Sequence, residues 1–516
     1  MKKIIYISLV LIVTSISCTD LNEDVLDSIS SNNYPETPEQ IAVQHLESYN
    51  ALSSLWDDGG YWFLAQEVSS DEMVAPTRGP HWFDGGKWLQ LQYHNWNDQS
   101  DPPVGMWRDI FRGIVTSNKI NDKLKAGGGL AQSKISEVEA IRSFYYYIFM
   151  DNFGDVPYLD KYIGAPEKPF RNNRTEIFDS LTTTLERGLK NLPSISNPAY
   201  KNYASKEMAQ ALLVKLYLNG KVYAETDDQI FYEKAIQYCD SLIANVNLFL
   251  EPDPLDAFKV DNTNSSEVIF AVPFDEVNKE GFRLHMRSLH YNHNETFDMA
   301  AGPWNGFCVI PDHFDTYQSI DKRKSGYFLW GPQFTYSGSP LMVDGKQLDI
   351  DYKIPYPNMP VDGPLSIDFI TNCGARIQKF EIYKDAKENL TVNFPVFRLS
   401  DIYLMKAEAE LRSSGLTPAT LTLVNQIRSR ASIAEWNLGE VTLDSIYAER
   451  GRELYAEGHR RNDMIRFGKF DQPFWGKGDE TDPNDPGQNA IENIFPIPLN
   501  ARTTNPNLDL EPKPIN

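Results

Sequence analysis

The chain has 516 residues, 12% of them aromatic, and a formal net charge of -22 from 71 acids against 49 lysines and arginines. That length supports one large domain or several ordinary ones. The acidic balance repels phosphate backbones, which excludes nucleic acid as a natural partner and leaves neutral and cationic ligands open.

The N-terminal segment reads as an export signal. Lys2 and Lys3 precede an apolar run over residues 4–13, and a small polar stretch follows over 14–17. The run is far shorter than the ~20 residues that span a bilayer, and no second long apolar run follows. Cys18 comes next, ahead of the polar, acidic Thr19, Asp20, Leu21, Asn22, Glu23 and Asp24. This junction resembles the lipid-modified first residue of a bacterial lipoprotein. Its acidic flank resembles the tether that sends some lipoproteins to the cell surface. Residues 1–17 are read as signal and 18–38 as tether. With Cys18 acylated, Cys239, Cys308 and Cys373 remain, an odd number that closes no disulfide framework.

Helical periodicity begins at Glu39. Trp107, Ile110, Phe111, Ile114 and Leu124 mark one helix face. Val138, Ile141, Phe144, Tyr145 and Ile148 mark the next, which Gly154 and Pro157 end. Ser205 is placed to cap a helix bearing Met208, Leu212 and Leu216. A second helix carries Tyr232, Ala235, Ile236, Cys239, Leu242, Ile243 and Val246 on one face. The pair resembles a tetratricopeptide-type hairpin, which buries its apolar face only by stacking on others.

Over 247–393 Pro, Gly and Asn are frequent, and short strands such as 268–272 stand without helical partners. Helices return at Phe394, with Ser400, Thr417 and Thr442 as predicted caps and Pro418 at a first helical position. Pro496, Pro498, Pro506, Pro512 and Pro514 predict an extended C-terminus that wraps over the surface. The predicted fold is mainly α, a tetratricopeptide-like helical hairpin scaffold with an inserted loop-rich lobe containing short strands. The scaffold covers 39–246 and 394–470, the lobe 247–393 and the wrap 471–516, all in one domain over 39–516.

Four stretches, in order, resemble the SusD/RagB family. They are Glu139-Ala140-Ile141-Arg142 through Tyr147 with Phe153-Gly154-Asp155-Val156-Pro157; Arg398-Leu399-Ser400-Asp401 through Ala409; Glu449-Arg450-Gly451-Arg452-Glu453 through Gly468; and Phe495-Pro496-Ile497-Pro498. The resemblance implies a lipid-anchored outer-membrane protein that faces the outside. It implies capture of oligosaccharides, or peptides in some branches, as a lid on a SusC-type TonB-dependent transporter. The scaffold would face the transporter and the lobe loops would hold the ligand. It implies no enzymatic activity and no cofactor. Physically, Glu449, Glu453 and Glu457 recur every four residues, and Arg450, Arg452, Arg460 and Arg466 are within reach of such a row. A salt-bridge network is expected there rather than an active site.

Sugars present apolar C–H faces and rings of hydroxyls, so their sites combine aromatic platforms with a few polar side chains. The Gly- and Pro-rich stretch 71–88 supplies both, with Trp82 as platform and Arg78 and Asp84 as hydroxyl partners. Trp304 and Trp330 in the lobe complete the candidate set. Trp107, on a helix face, is expected in the core. His285, His290 and His293 match no standard zinc spacing, and the acidic loop 479–485 lacks the glycine and distal glutamate of a calcium hand. A surface glycoside hydrolase is the competing reading; it requires a carboxylate pair at a set separation.

Overall fold

The computed structural model describes residues 43–57, 61–126, 132–164, 167–478 and 493–515. Cys18, the signal, the tether and the acidic loop 479–485 lie outside these residues. Five helices form the first part of the scaffold: α1 (Asp101–Ala126), α2 (Gln132–Phe153), α3 (Arg174–Gly188), α4 (Lys206–Leu218) and α5 (Gln229–Ile243). Four more follow the lobe: α6 (Leu399–Ser413), α7 (Pro418–Arg430), α8 (Leu443–Leu454) and α9 (Arg460–Arg466). Helix α1 packs on α2, α2 on α3 and α4 on α5. Helix α5 also packs on α6, which meets α7 and α8, so the stack continues across the insertion.

The caps follow the local chemistry. Ser205 accepts from the Met208 amide at 3.0 Å, Thr417 from Thr420 at 3.2 Å and Thr442 from Ser445 at 3.1 Å. Each such cap contributes about 1 kcal/mol. Ser400 departs from expectation. Residues 392–398 form a strand, Leu399 already begins α6, and the Ser400 hydroxyl accepts instead from the Arg398 guanidinium. Helix α2 was expected to bury one stripe, but it is buried on every side from Ser136 to Phe153. It is the centre of the stack rather than a surface helix. Helix α5 stops at Ile243, which leaves Val246 91% exposed. The C-terminus is not wholly extended either, since Leu499–Thr504 is helical. It does run over the α2–α3 connection, where Asn505 Nδ2 donates to Pro169 O at 2.7 Å and the Lys513 amide to Arg171 O at 2.8 Å.

The acidic row sits in a buried ion network, in which Arg452 is a partner as expected and the other partners come from elsewhere in the chain. Glu449 meets Arg323 (2.8 Å), Arg428 (2.7 Å) and Arg452 (2.7 Å). Glu453 meets Arg398 (2.7 Å), Arg430 (2.6 Å) and Arg323 (3.0 Å). Arg450 and Arg466 turn instead to Asp463, at 2.6 Å each, and Arg460 to Asp71 at 2.6 Å. The surrounding guanidiniums hold the Glu449 carboxyl down at about 2 despite its burial.

Six strands matter for the site: β1 (Met73–Val74), β2 (Thr77–Arg78), β3 (Val268–Phe274), β4 (Cys308–Val309), β5 (Asn358–Met359) and β6 (Val392–Arg398). The longest ladder, β3 with β6, is antiparallel and lies at the base of the lobe. Strand β1 runs antiparallel to β4, with Val74 opposite Cys308, and β2 runs parallel to β5, with Met359 opposite Arg78. The early segment 73–78 is therefore stitched into the lobe, although it lies in the stretch expected to be scaffold.

Candidate ligand cleft

The loop after β2 has little freedom. Arg78 and His81 exchange backbone hydrogen bonds at 2.9 and 3.1 Å. Gly79 has φ +62°, and a Cβ there would lie 2.7 Å from Val361 Cγ2. Trp82 itself has φ +64°. A bulky residue in the left-handed region costs about 1–3 kcal/mol and persists only where the surroundings impose it. Here they do. Trp82 Nε1 donates to Trp304 O at 2.8 Å, and the ring meets Phe307 edge-on at 5.4 Å. A Cβ on Gly306 would fall 2.2 Å from Trp82 Cε2, so glycine at 306 makes room for the indole.

Three of the predicted residues, Trp82, Asp84 and Trp304, meet in one cleft of about 610 Å³, with His81, Arg287, Tyr291 and Pro303. Both tryptophans are half-buried, as platforms must be. Asp84 is exposed, and its Oδ2 accepts from Trp88 Nε1 at 2.8 Å. Arg287 is buried, pairs with Asp57 at 2.8 Å and sets its guanidinium carbon 5.5 Å from the Trp304 ring centre. His81 and Tyr291 meet edge-on at 6.3 Å on the rim. The arrangement offers ring faces to C–H groups and a carboxylate, an imidazole and a phenol to hydroxyls.

Two predicted contacts are corrected. Arg78 is 2% exposed and faces inward rather than into the cleft. It donates to Ile370 O (2.6 Å), Cys373 O (3.0 Å), Gly306 O (3.3 Å) and Cys308 Sγ (2.8 Å). Its neighbour Arg376 donates to Asn305 Oδ1 (2.6 Å), Thr371 O (2.9 Å), Cys373 O (2.7 Å) and the same Cys308 sulfur (2.9 Å). Arg78 is thus a strut beneath the 304–308 strip on which Trp82 rests. Trp330 does not line the cleft; it is 37% exposed and packs edge-on against Phe314 at 5.1 Å. Trp107, by contrast, is buried as expected.

His81, Arg287, Tyr291 and Pro303 are cleft residues that sequence reasoning missed. The alternation of rings and turn formers over 290–304 was the available signal. The histidines beside them serve structure. His285 Nε2 bonds Lys387 O at 2.8 Å, and His293 Nδ1 accepts from the His290 amide at 3.1 Å. Burial drives their imidazoles down, to about 4 for His285 and about 3 for His290. Among the described residues no cluster of three His, Cys, Asp or Glu side chains is placed to hold a metal.

The chain matches two family descriptions, "SusD family" over residues 358–512 and "Starch-binding associating with outer membrane" over 67–218. SusD-like protein P25 of Formosa agariphila is 24% identical over 380 residues, covering 70% of this chain and 69% of that protein. The starch-binding protein SusD of Bacteroides thetaiotaomicron is 23% identical over 489 residues, covering 88% and 86%. Among solved structures, a SusD superfamily protein of Parabacteroides distasonis superposes with a TM-score of 0.73 at 20% identity, covering 92% of this chain and 98% of that one. Surface glycan-binding protein A of B. thetaiotaomicron, in complex with laminarihexaose, gives 0.72 at 19% identity, covering 90% and 98%. With the helical stack, the arginine-bound acidic row and the inserted lobe, these matches make the chain a member of the SusD/RagB family.

Proposed function

We propose that this protein is a cell-surface lipoprotein, anchored through Cys18, that captures oligosaccharides between Trp82 and Trp304 and passes them to a SusC-type TonB-dependent transporter. One observation carries the capture reading. Two tryptophans far apart in sequence line one open cleft, and one of them is held there in a costly backbone conformation. Relatives named for starch or glycan binding support a carbohydrate as the ligand. The polar rim supports recognition without chemistry: Asp84 is the sole carboxylate lining the cleft among the described residues, whereas glycoside hydrolysis uses a pair.

The test is titration of the mature protein with starch, laminarin and xyloglucan oligosaccharides and with a peptide panel. Trp82→Ala and Trp304→Ala are each expected to lower affinity at least tenfold, about 1.4 kcal/mol, with an unchanged ligand chain length. Equal affinity in parent and both variants, or shortening of the oligosaccharide, would overturn it. Co-purification with a SusC-type transporter tests delivery.

A further inference from the structure

A second cleft of about 560 Å³ lies on the scaffold side and shares no residue with the first. Its platform is Trp96, in the turn between the short helix Lys87–Gln92 and α1. The turn opens at His94, which has φ +51°. Trp96 is half-buried and rests on Phe495 at 4.5 Å and His94 at 5.1 Å. The opposite wall is the returning C-terminal segment, with Pro496, Ile497 and Leu508.

Arg502 ties the two walls together. Its guanidinium meets Asp98 on one side and Asp509 on the other, the latter at 3.0 Å. Arg171 enters from the α2–α3 connection, where its Nη2 donates to Leu510 O at 2.9 Å. Its Nε–H is buried and has no hydrogen-bond acceptor among the described residues. A buried donor left without an acceptor marks a place where a polar ligand or water completes the site.

The two clefts share a recipe, though not a single residue. Each sets indole against guanidinium and carboxylate, in a volume suited to a ligand. The geometry points to a second carbohydrate site at Trp96, whose hydroxyl partners are Arg171, Asn97 and Asp98. The inference rests on the carbohydrate reading above. Its consequence is avidity: a polysaccharide long enough to engage both clefts is retained far better than either cleft alone retains it. Short oligosaccharides bind the two clefts independently.

The experiment is native affinity electrophoresis of the full mature chain in gels containing starch, laminarin or xyloglucan, with thermal melting as a folding control. In the polysaccharide that retards the parent, Trp96→Ala is expected to weaken retention at least tenfold. Because Trp96 also packs on Phe495, Arg171→Gln serves as a second variant, with a smaller loss in the same gel. Trp82→Ala/Trp304→Ala should keep a residual retardation that disappears when Trp96→Ala is added. Parent-like retention of both Trp96→Ala and Arg171→Gln would overturn the second site and leave the first untouched. A change in transporter co-purification alone, without loss of glycan retention, would also overturn it. Retardation of the parent by none of the three polysaccharides would count against both sites.

Discussion

Buried arginines are held differently around helix α8 and beneath the 304–308 strip of the cleft. Around α8, Arg323 from the lobe and Arg398, Arg430 and Arg450 from the scaffold stretch each meet at least one carboxylate within 3.0 Å. Beneath the cleft, Arg78 and Arg376 are just as buried but meet carbonyls, an amide oxygen and the Cys308 sulfur. The first arrangement locks helices by charge, so its parts depend on one another. The second clasps backbone: Arg376 holds Asn305 and the 371–374 turn, while Arg78 joins the Trp82 loop to Gly306. The α8 network thus stores stability in ion pairs, and the strip beneath the cleft uses guanidinium as a bracket for binding loops.

The largest effect that separates the two regions is expected from Glu453→Gln. It withdraws the carboxylate from three buried guanidiniums, and should cost about 3–5 kcal/mol in urea unfolding while leaving glycan affinity of the folded protein near that of the parent. A cost below about 1 kcal/mol would remove the charge-lock description. Arg376→Met strands carbonyls rather than charges, so a smaller loss of about 1–3 kcal/mol is predicted, now accompanied by weakened ligand binding. Should affinity stay unchanged, the bracket would be structural only.

Gly306→Ala sharpens the contrast further. Its methyl enters the space of the Trp82 ring, for an overpacking cost of about 1–3 kcal/mol and a clear drop in affinity. Cys308→Ser keeps the shape and weakens two guanidinium contacts; about 1 kcal/mol or less is expected.

Acid should unfold the protein through both regions. Burial lowers the imidazoles of His94, His285, His290, His293, His313 and His459, to about 3 in His313 and His459. A histidine depressed in the fold contributes stability above its unfolded value, near 6.5, and loses it as pH falls below that value. Glu67 and Glu72 oppose this, because burial raises both carboxyls, Glu67 to about 8, and so favours the fold at lower pH. Six histidines against two carboxylates predict a decline in stability from pH 6.5 towards 4.5, followed by a steeper one as the carboxylates of the α8 network protonate. Chemical denaturation at a series of pH values reads this directly, and a flat profile across that window would contradict it.

Much of the scaffold was legible because helices carry local signals. Ser205, Thr417 and Thr442 announce their own caps, and the four-residue spacing of Glu449, Glu453 and Glu457 announces an ion network. Of its partners only Arg452 was legible, since Arg323 and Arg398 reach the row from the lobe and from β6. At the cleft, glycines and prolines around Trp82 and Trp304 marked exposed loops, and both rings are there. Arg78 misled because loop composition says nothing about which way a side chain turns. Its burial follows from the pairing of β2 with β5, a contact between residues far apart in the chain. Arg287 gave no local sign either, because its neighbours Asp57 and Trp304 come from two other segments.

Crystals of the mature protein grown with the tightest-binding oligosaccharide test the central claim most directly. The account predicts sugar rings against the faces of Trp82 and Trp304, with hydroxyls at Asp84 and His81. A ligand seated elsewhere, with these indoles in contact only with protein, would contradict it.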